Sequence, residues 1–171
     1  MTALHSPSTD REVTVTWDDP AITASAVGST SGLEWLEQIR DGKLPPPPIA
    51  RLMGFDLTLV EEGRVQFTLE PAEQHYNPIG SVHGGVYATL LDSAAGCCVH
   101  STLPAGVGYT SLDLSVKFLR PMTSATGPVV AEGRVVHRGS RMLLAEVTLT
   151  DSRGKLLATA TSSCLVIPIP V

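Results

Sequence analysis

The hydrophobic pattern from residue 55 onward predicts strands wrapped around one helix. Glu62-Gly63 separates two strand-like runs and is typical of a hairpin turn. A long apolar run that begins near residue 84 has the composition of a buried helix. The predicted strands lie at 55–61, 64–69, 112–118, 129–136, 141–150 and 155–166. One buried helix with five or six antiparallel strands is an α+β arrangement.

The N-terminal third of the chain differs in composition from the rest. Residues 1–30 are rich in Ser and Thr and are predicted as a weakly ordered lead-in, although alternating apolar residues at 13–17 fit a short strand. Within 31–49, the capping-box pattern Ser31-Gly32-Leu33-Glu34 predicts a short helix that ends near residue 41. The prolines at 45–48 are predicted to form a stiff polyproline spacer. Residues 50–171 make the main domain.

A single carboxylate interrupts the apolar helix. Between Glu73 and Lys117 the side chains that carry a full charge are Asp92 and Asp113. An ionised carboxylate in apolar surroundings is costly unless it is paired, so we expect the pKa of Asp92 to be raised, as suits a general base or a nucleophile. For an isolated Asp, the favoured alternative is that the side chain lies on a solvent-exposed face of the helix.

The glycine pair Gly84-Gly85 is predicted at the start of this helix. Unpaired backbone N–H groups there can bind an anion or a developing oxyanion, although a bare Gly-Gly serves close packing equally well. Eight residues separate Gly84 from Asp92, roughly 12 Å along a helix, so one helix cannot present both to one carbonyl. Either one of them is irrelevant, or an antiparallel second copy of the helix brings its Asp92 to the first copy's Gly84.

The composite motif Asn77-x-x-Gly80-x-x-His83-Gly84-Gly85, followed by Leu91-Asp92, resembles the hotdog-fold acyl-CoA thioesterases of the phenylacetate-degradation (PaaI-like) type. The resemblance covers about residues 50–167. It implies one long helix wrapped by an antiparallel sheet, and dimers with two active sites between antiparallel central helices. A homodimer is expected at minimum, and a homotetramer as a dimer of dimers.

The resemblance also implies roles for individual residues. Asp92 falls on the catalytic carboxylate, Gly84 on the backbone N–H that polarises the carbonyl, and Asn77 on a residue that positions water or the carbonyl. Ser111 or Thr110 would hold the attacking water. Substrate contacts are further expected at His83 and Gly85, although His83 suits a structural helix-start role better than that of a base.

The net charge of −5 hides an asymmetry along the chain. Residues 1–116 carry 5 basic and 14 acidic side chains, whereas residues 117–155 carry 7 basic and 3 acidic ones. A local basic surface on an acidic protein suits a small polyanion such as coenzyme A better than nucleic acid. We expect phosphate contacts from the hairpin turn that contains Arg138, Gly139 and Arg141, and then from Arg120. For any single arginine, ordinary solvated charge is the simpler interpretation.

Length and composition bound the remaining possibilities. The 171 residues suit one domain, and 43% hydrophobic against 17% charged residues suggests buried interfaces. No apolar run is long enough for a membrane span, and the N-terminus lacks the pattern of a signal peptide. Three cysteines provide neither a disulfide framework nor metal-ligand spacing, so we expect a cytoplasmic protein without a metal or a cofactor, coenzyme A being part of the substrate.

The predicted function is therefore hydrolysis of acyl-CoA thioesters to free acid and coenzyme A, with the acyl group undefined. Asp92 would act as general base or as nucleophile, and both remain open. An α/β-hydrolase is rejected, because the nearest match to a nucleophile elbow, residues 28–32, has Thr30 at the nucleophile position. The alternative is a non-catalytic protein that binds or senses acyl-CoA. Such a sensor would gain nothing from Asp92 and would need an output element.

Overall fold

The computed structural model describes residues 11–169. Within this range the chain forms four α-helices, seven strands and two 3-10 turns, at Glu73–His75 and Ser124–Thr126. The helices are α1 (Pro20–Ala26), α2 (Gly32–Arg40), α3 (Pro48–Met53) and α4 (Gly84–His100). The strands are β1 (Phe55–Glu61), β2 (Arg64–Leu69), β3 (Val107–Ser111), β4 (Ser115–Phe118), β5 (Val129–Arg138), β6 (Met142–Asp151) and β7 (Leu156–Pro168).

All seven strands belong to one antiparallel sheet that surrounds α4. The strand order is β1-β2-β5-β6-β7-β3, and β4 also pairs with β7, nearer the beginning of that strand than β3 does. The long helix packs mainly on β5, β6 and β7. The predicted α+β fold, with one long helix wrapped by an antiparallel sheet, is therefore confirmed. The predicted count of five or six strands is wrong, since the sheet has seven.

Burial of one side of α4 holds the fold together. Its fully buried residues are Leu90, Leu91, Ala94, Ala95, Cys98 and Val99. Each buried leucine stabilises the fold by about 1.5–3 kcal/mol. Small residues let the helix lie close to the sheet. At Gly133 in β5, a methyl group would fall far inside contact distance of the Ala94 carbonyl oxygen, so only glycine permits this crossing.

The N-terminal region is more ordered than the sequence suggests. The predicted helix in 31–49 is confirmed as α2, with the capping box formed between Ser31 and Glu34. Residues 13–17 form no strand. Helix α1, capped by Asp19, was not predicted, and neither was α3, which begins at the last proline of the polyproline run. The part of the predicted lead-in at 1–10 lies outside the described residues.

The strand predicted at 112–118 is two strands in the structure. Asp113 breaks the pairing with β7, because its carboxylate accepts the Ser163 N–H at 3.0 Å and its carbonyl accepts the Ser162 hydroxyl at 2.7 Å. Strand β3 ends before this break and β4 begins after it. Thr110 and Ser111, which the predicted strand at 112–118 left out, are the last two residues of β3.

Three further observations limit the chemistry of the described residues. Among the helices of residues 11–169, none combines the length and apolarity that crossing a bilayer requires. Within the same range, no group of three or more His, Cys, Asp or Glu side chains is placed to hold a metal ion. Cys97, Cys98 and Cys164 are free thiols.

Candidate active site

The start of α4 is built from a short loop and a histidine cap. His83 is the N-cap residue, and its Nδ1 atom accepts the Gly85 N–H at 2.9 Å. The Gly84 N–H, one residue earlier, has no acceptor among residues 11–169. The predicted structural role of His83 at the helix start is thus confirmed. The free N–H points into a region where the helix dipole favours negative charge.

Asn77 holds the loop that leads into this helix start. Its Oδ1 atom accepts the N–H groups of Ile79 at 3.0 Å and Ser81 at 3.2 Å. Its Nδ2 group donates to the Ser81 hydroxyl at 3.1 Å. The amide thus shapes the loop through three hydrogen bonds, and a second N–H on Nδ2 is left for a ligand.

An open groove of about 380 Å³ runs past Gly84. It is lined by Val82, Gly84, Tyr87, Phe118, Leu119, Arg120 and Pro121. The Phe118 ring covers the glycine so closely that a Cβ at Gly84 would lie 3.2 Å from its Cζ atom. Arg120 stands beside the groove, where its guanidinium donates to the Leu156 carbonyl and its own carbonyl accepts the Tyr87 hydroxyl. The sequence analysis missed Phe118, which lies on a short, exposed strand.

Asp92 lies on the side of α4 that the sheet leaves open. In the single chain it is exposed, and it forms no ion pair or hydrogen bond with residues 11–169. Partial burial nevertheless raises the pKa of its carboxyl group above the ordinary value for aspartate. Gly85 and Ala88 share this open stripe, at three- and four-residue spacing toward the helix start. Asp92 is thus available to a ligand or to a second helix.

Ser111 lies on the face of β3 that contains Tyr109, whose hydroxyl rests against Gly96 of α4, whereas Thr110 lies on the opposite face. Ser111 pairs with Cys164 across the sheet. Burial is the main reason why the pKa of the Cys164 thiol is raised; the Ser111 hydroxyl lowers this pKa by hydrogen bonding, and the charge of Asp92 raises it further. Because side chains alternate along a strand, Thr110 points to the opposite face.

The hairpin turn between β5 and β6 lies at the other end of α4. The Arg138 guanidinium donates to the carbonyl of Thr102, at 2.6 Å, and pairs with Glu62 at 3.3 Å. Thr102 follows the helix end, and the 17 residues of α4 span roughly 25 Å. Within one chain the structure therefore separates Arg138, Gly139 and Arg141 from Gly84. Of the predicted phosphate contacts, Arg120 alone lines the Gly84 groove.

Comparison with known proteins supplies the family. The model of the thioesterase superfamily matches residues 79–158. Human acyl-coenzyme A thioesterase 13 is 31% identical over 111 residues, which are 63% of this chain and 77% of that protein. The chain belongs to the thioesterase superfamily. A Halobacterium salinarum protein matches this thioesterase at 43% identity over 72 residues, 41% of the chain and only 46% of that protein's length.

Solved structures agree with this assignment. A phenylacetic acid degradation-related protein of Ralstonia eutropha has a TM-score of 0.69 to this thioesterase at 29% identity, over 76% of this chain and 98% of that one. A Streptococcus mutans protein, solved with bound acetyl-CoA, has a TM-score of 0.62 at 30% identity, over 68% and 91%. The predicted PaaI-like hotdog fold and the predicted class, a thioester hydrolase, are confirmed.

Proposed function

We propose that this thioesterase hydrolyses acyl-CoA thioesters to a free acid and coenzyme A. Acyl-CoA as the substrate is supported by the name of the human relative and by the acetyl-CoA bound to the Streptococcus mutans protein. The observation in this chain that carries the proposal is the open stripe of α4. An unpaired backbone N–H begins it at Gly84, and an unpaired carboxylate with a raised pKa stands at Asp92.

The spacing of these two groups implies that each site takes residues from two protomers. Gly84 and Asp92 lie roughly 12 Å apart along one helix, too far to act on one carbonyl. An antiparallel pair of α4 helices, related by a two-fold axis near Ala88, would set Gly84 of each protomer opposite Asp92 of its partner. Small side chains on the open stripe permit that approach. A homodimer is thus the minimal active unit, and a tetramer of two such dimers is compatible with it.

In such a site the thioester carbonyl oxygen would accept the Gly84 N–H, and the negative charge that develops on it would be stabilised at the helix start. As a general base, Asp92 would take a proton from water while the water oxygen bonds to the carbonyl carbon. The C–S bond then breaks, and the coenzyme A thiolate takes up a proton. As a nucleophile, Asp92 would instead form a mixed anhydride and release the thiolate, and water would then hydrolyse the anhydride.

Supporting roles follow from the contacts. Ser111 would hold the attacking water, because it lies on the face of β3 that contains Tyr109 and packs on α4, and Thr110 is set aside because it lies on the opposite face. Asn77 would act mainly by holding the loop before Gly84 and secondarily through its free N–H. Arg120 is the best placed contact for the coenzyme A phosphates, because it lines the Gly84 groove and has no carboxylate partner within residues 11–169. Arg138, in contrast, is already paired with Glu62.

The deciding experiment compares two aspartates. Asp92→Asn keeps the shape of the side chain but removes its basicity, so turnover of acyl-CoA should fall at least ~10²-fold. Asp113→Asn is the matched control, since it removes one charge from the same region, and its amide oxygen can still accept the Ser163 N–H. Near wild-type turnover in Asp92→Asn would show that Asp92 is not the catalytic group. If the parent protein hydrolyses no member of a panel of acyl-CoAs, the proposed function is wrong.

A further inference from the structure

A second cavity lies farther along α4, on the C-terminal side of Asp92. It measures about 190 Å³ and lies between the end of α4, strand β3, the N-terminal helices and the end of the described chain. Its lining residues are Val27, Trp35, Cys97, His100, Gly108, Tyr109 and Ile169. We call it the distal pocket. None of the proposed catalytic groups lines it.

The side of α4 that carries Asp92 continues toward the distal pocket, where strand β3 covers it. Asp92, Gly96 and His100 follow at intervals of four residues, so they lie along one side of the helix. The Tyr109 hydroxyl rests on Gly96 so closely that a Cβ there would collide with it. Tyr109 also lines the distal pocket, and its pKa is raised by burial and then by the nearby cysteines and the charge of Asp92.

His100 gives the far end of the pocket a polar group without a partner. The residue is only 6% exposed, and its Nδ1 atom is buried with no hydrogen-bond partner among the described residues. The ring is held by Trp35, edge-on at 5.2 Å between centroids, and by Tyr109 at 5.8 Å. A buried nitrogen that goes unpaired is unfavourable, and a ligand with a complementary group would remove that cost.

The walls of the distal pocket are fixed by main-chain hydrogen bonds rather than by loose side chains. The Gly106 N–H donates to the Gly28 carbonyl at 2.9 Å, and the Ile169 N–H donates to the Gly106 carbonyl at 3.0 Å. On the opposite side, the Gly32 N–H donates to the Leu103 carbonyl at 3.0 Å. The N-terminal helices are thereby attached to both the helix end and the strand that form the pocket.

We propose that the distal pocket receives the far end of the acyl group and that His100 binds an uncharged hydroxyl group there. The inference rests on the proposed hydrolysis of acyl-CoA and names its substrate class, a medium-length acyl chain with a terminal hydroxyl. His100 lies roughly 12 Å beyond Asp92 along the helix, which sets the reach of the chain.

The charge state of the pocket argues for a hydroxyl and against a carboxylate. Burial lowers the pKa of His100, so the imidazole is neutral near pH 7 and offers one donor and one acceptor. No Lys or Arg side chain is among the residues that line the pocket. An acyl group that ends in a carboxylate would have to leave water without a counter-charge, which is unfavourable.

The test compares octanoyl-CoA with omega-hydroxyoctanoyl-CoA in the parent protein and in His100→Phe. Phenylalanine keeps a ring between Trp35 and Tyr109 but removes both nitrogens. We expect the ratio of kcat/KM values, hydroxylated over plain, to fall roughly tenfold in the variant, because the substrate hydroxyl is left unpaired. His137→Phe is the matched control, since His137 is exposed and outside the pocket, and it should leave the ratio unchanged.

A second variant tests the pocket even if His100→Phe does not fold. Val27→Phe fills the pocket from the N-terminal side, so it should lose turnover of both eight-carbon substrates while it retains that of butanoyl-CoA. An unchanged ratio in folded His100→Phe, or wild-type chain-length preference in Val27→Phe, would overturn the inference and leave the proposed function intact. If the parent protein hydrolyses other acyl-CoAs but neither eight-carbon substrate, the inference fails and the proposed function stands; if it hydrolyses no acyl-CoA, both fail.

Discussion

Replacing Gly84 with proline removes one hydrogen atom from the centre of the proposed site. Gly84 is the first residue of α4, the position at which proline is over-represented in helices because its N–H is not needed there. His83, with φ −63° and ψ 140°, already has the extended conformation that a residue before proline requires. Gly84→Pro should therefore keep the helix start and lose only the N–H that would bind the carbonyl oxygen.

Gly84→Ala provides the matched control. Its Cβ would meet Phe118 at 3.2 Å, as the Cβ of proline also would, but its N–H remains. The difference between the two variants thus isolates the hydrogen bond. Loss of one preorganised oxyanion donor costs ~10²–10³ in kcat, or about 2.7–4 kcal/mol of transition-state stabilisation. We expect kcat of Gly84→Pro to lie below that of Gly84→Ala by this factor.

The assay is steady-state release of coenzyme A, detected with a thiol reagent. The chain has three free cysteines, so the reaction without substrate must be subtracted for every variant. Thermal unfolding of both variants shows whether α4 still forms. A Gly84→Pro protein that is folded and turns over within a few-fold of Gly84→Ala would falsify the assignment of the Gly84 N–H as the oxyanion donor.

Refolding Gly84→Pro together with Asp92→Asn should restore about a quarter of wild-type activity, since half of the dimers are mixed and each holds one intact site; no recovery despite confirmed subunit exchange would refute shared sites. The acid limb of the kcat–pH profile should have its midpoint above the ordinary aspartate pKa of about 3.9, because activity needs ionised Asp92 and the pKa of Asp92 is raised. This limb should be absent from the profile of Asp92→Asn. Gly133→Ala should lower the free energy of unfolding by roughly 1–3 kcal/mol or more in denaturant titrations, because its methyl group meets helix backbone; an unchanged midpoint would contradict this. Arg120→Ala should raise KM with kcat nearly unchanged, and more than Arg138→Ala does, whereas the reverse order would place the phosphates at the β5–β6 turn.

Periodicity predicted those elements whose burial alternates regularly. Strands β1 and β2 match their predicted bounds, and Val65, Phe67 and Leu69 face the core as their spacing requires. The break between β3 and β4 escaped prediction because Leu112 and Leu114 continue the apolar alternation through it. The break depends on the hydrogen bonds of Asp113 to β7, partners about 50 residues later in the chain that no local pattern reveals.

The short N-terminal helices were not predicted, for a different reason. Helix α3 has proline at its start and Gly54 just past its end, at φ 70°, which together are a sequence signature of a helix. The preceding prolines favour an extended segment. Because the helix has only six residues, its hydrophobic periodicity is too short to predict a helix against that preference. Helix α1 likewise carries its Asp19 cap and Pro20 at the first position, a signal that could have predicted it.

For the candidate site, the sequence predicted the reacting groups but not the residues that surround them. The isolated charge of Asp92 and the glycine pair marked the two ends of the open stripe. The face on which Tyr109 and Ser111 lie could have been inferred from strand alternation, but only once the start of β3 was known. The sequence does not show that Phe118 covers Gly84 or that Arg138 pairs with Glu62. Both contacts depend on the curvature of the sheet and on tertiary packing.

The attachment of the N-terminal helices at Gly32 has a consequence for how this protein can diversify. These helices close the distal pocket but carry none of the proposed catalytic groups, which lie on α4, on β3 and in the loop before α4. Their sequence can therefore change, or be exchanged for that of a relative, while the reacting groups stay in place. The part of the pocket wall that these helices supply is thus encoded apart from the reacting groups, so selection can reshape that wall without rebuilding the hydrolytic site.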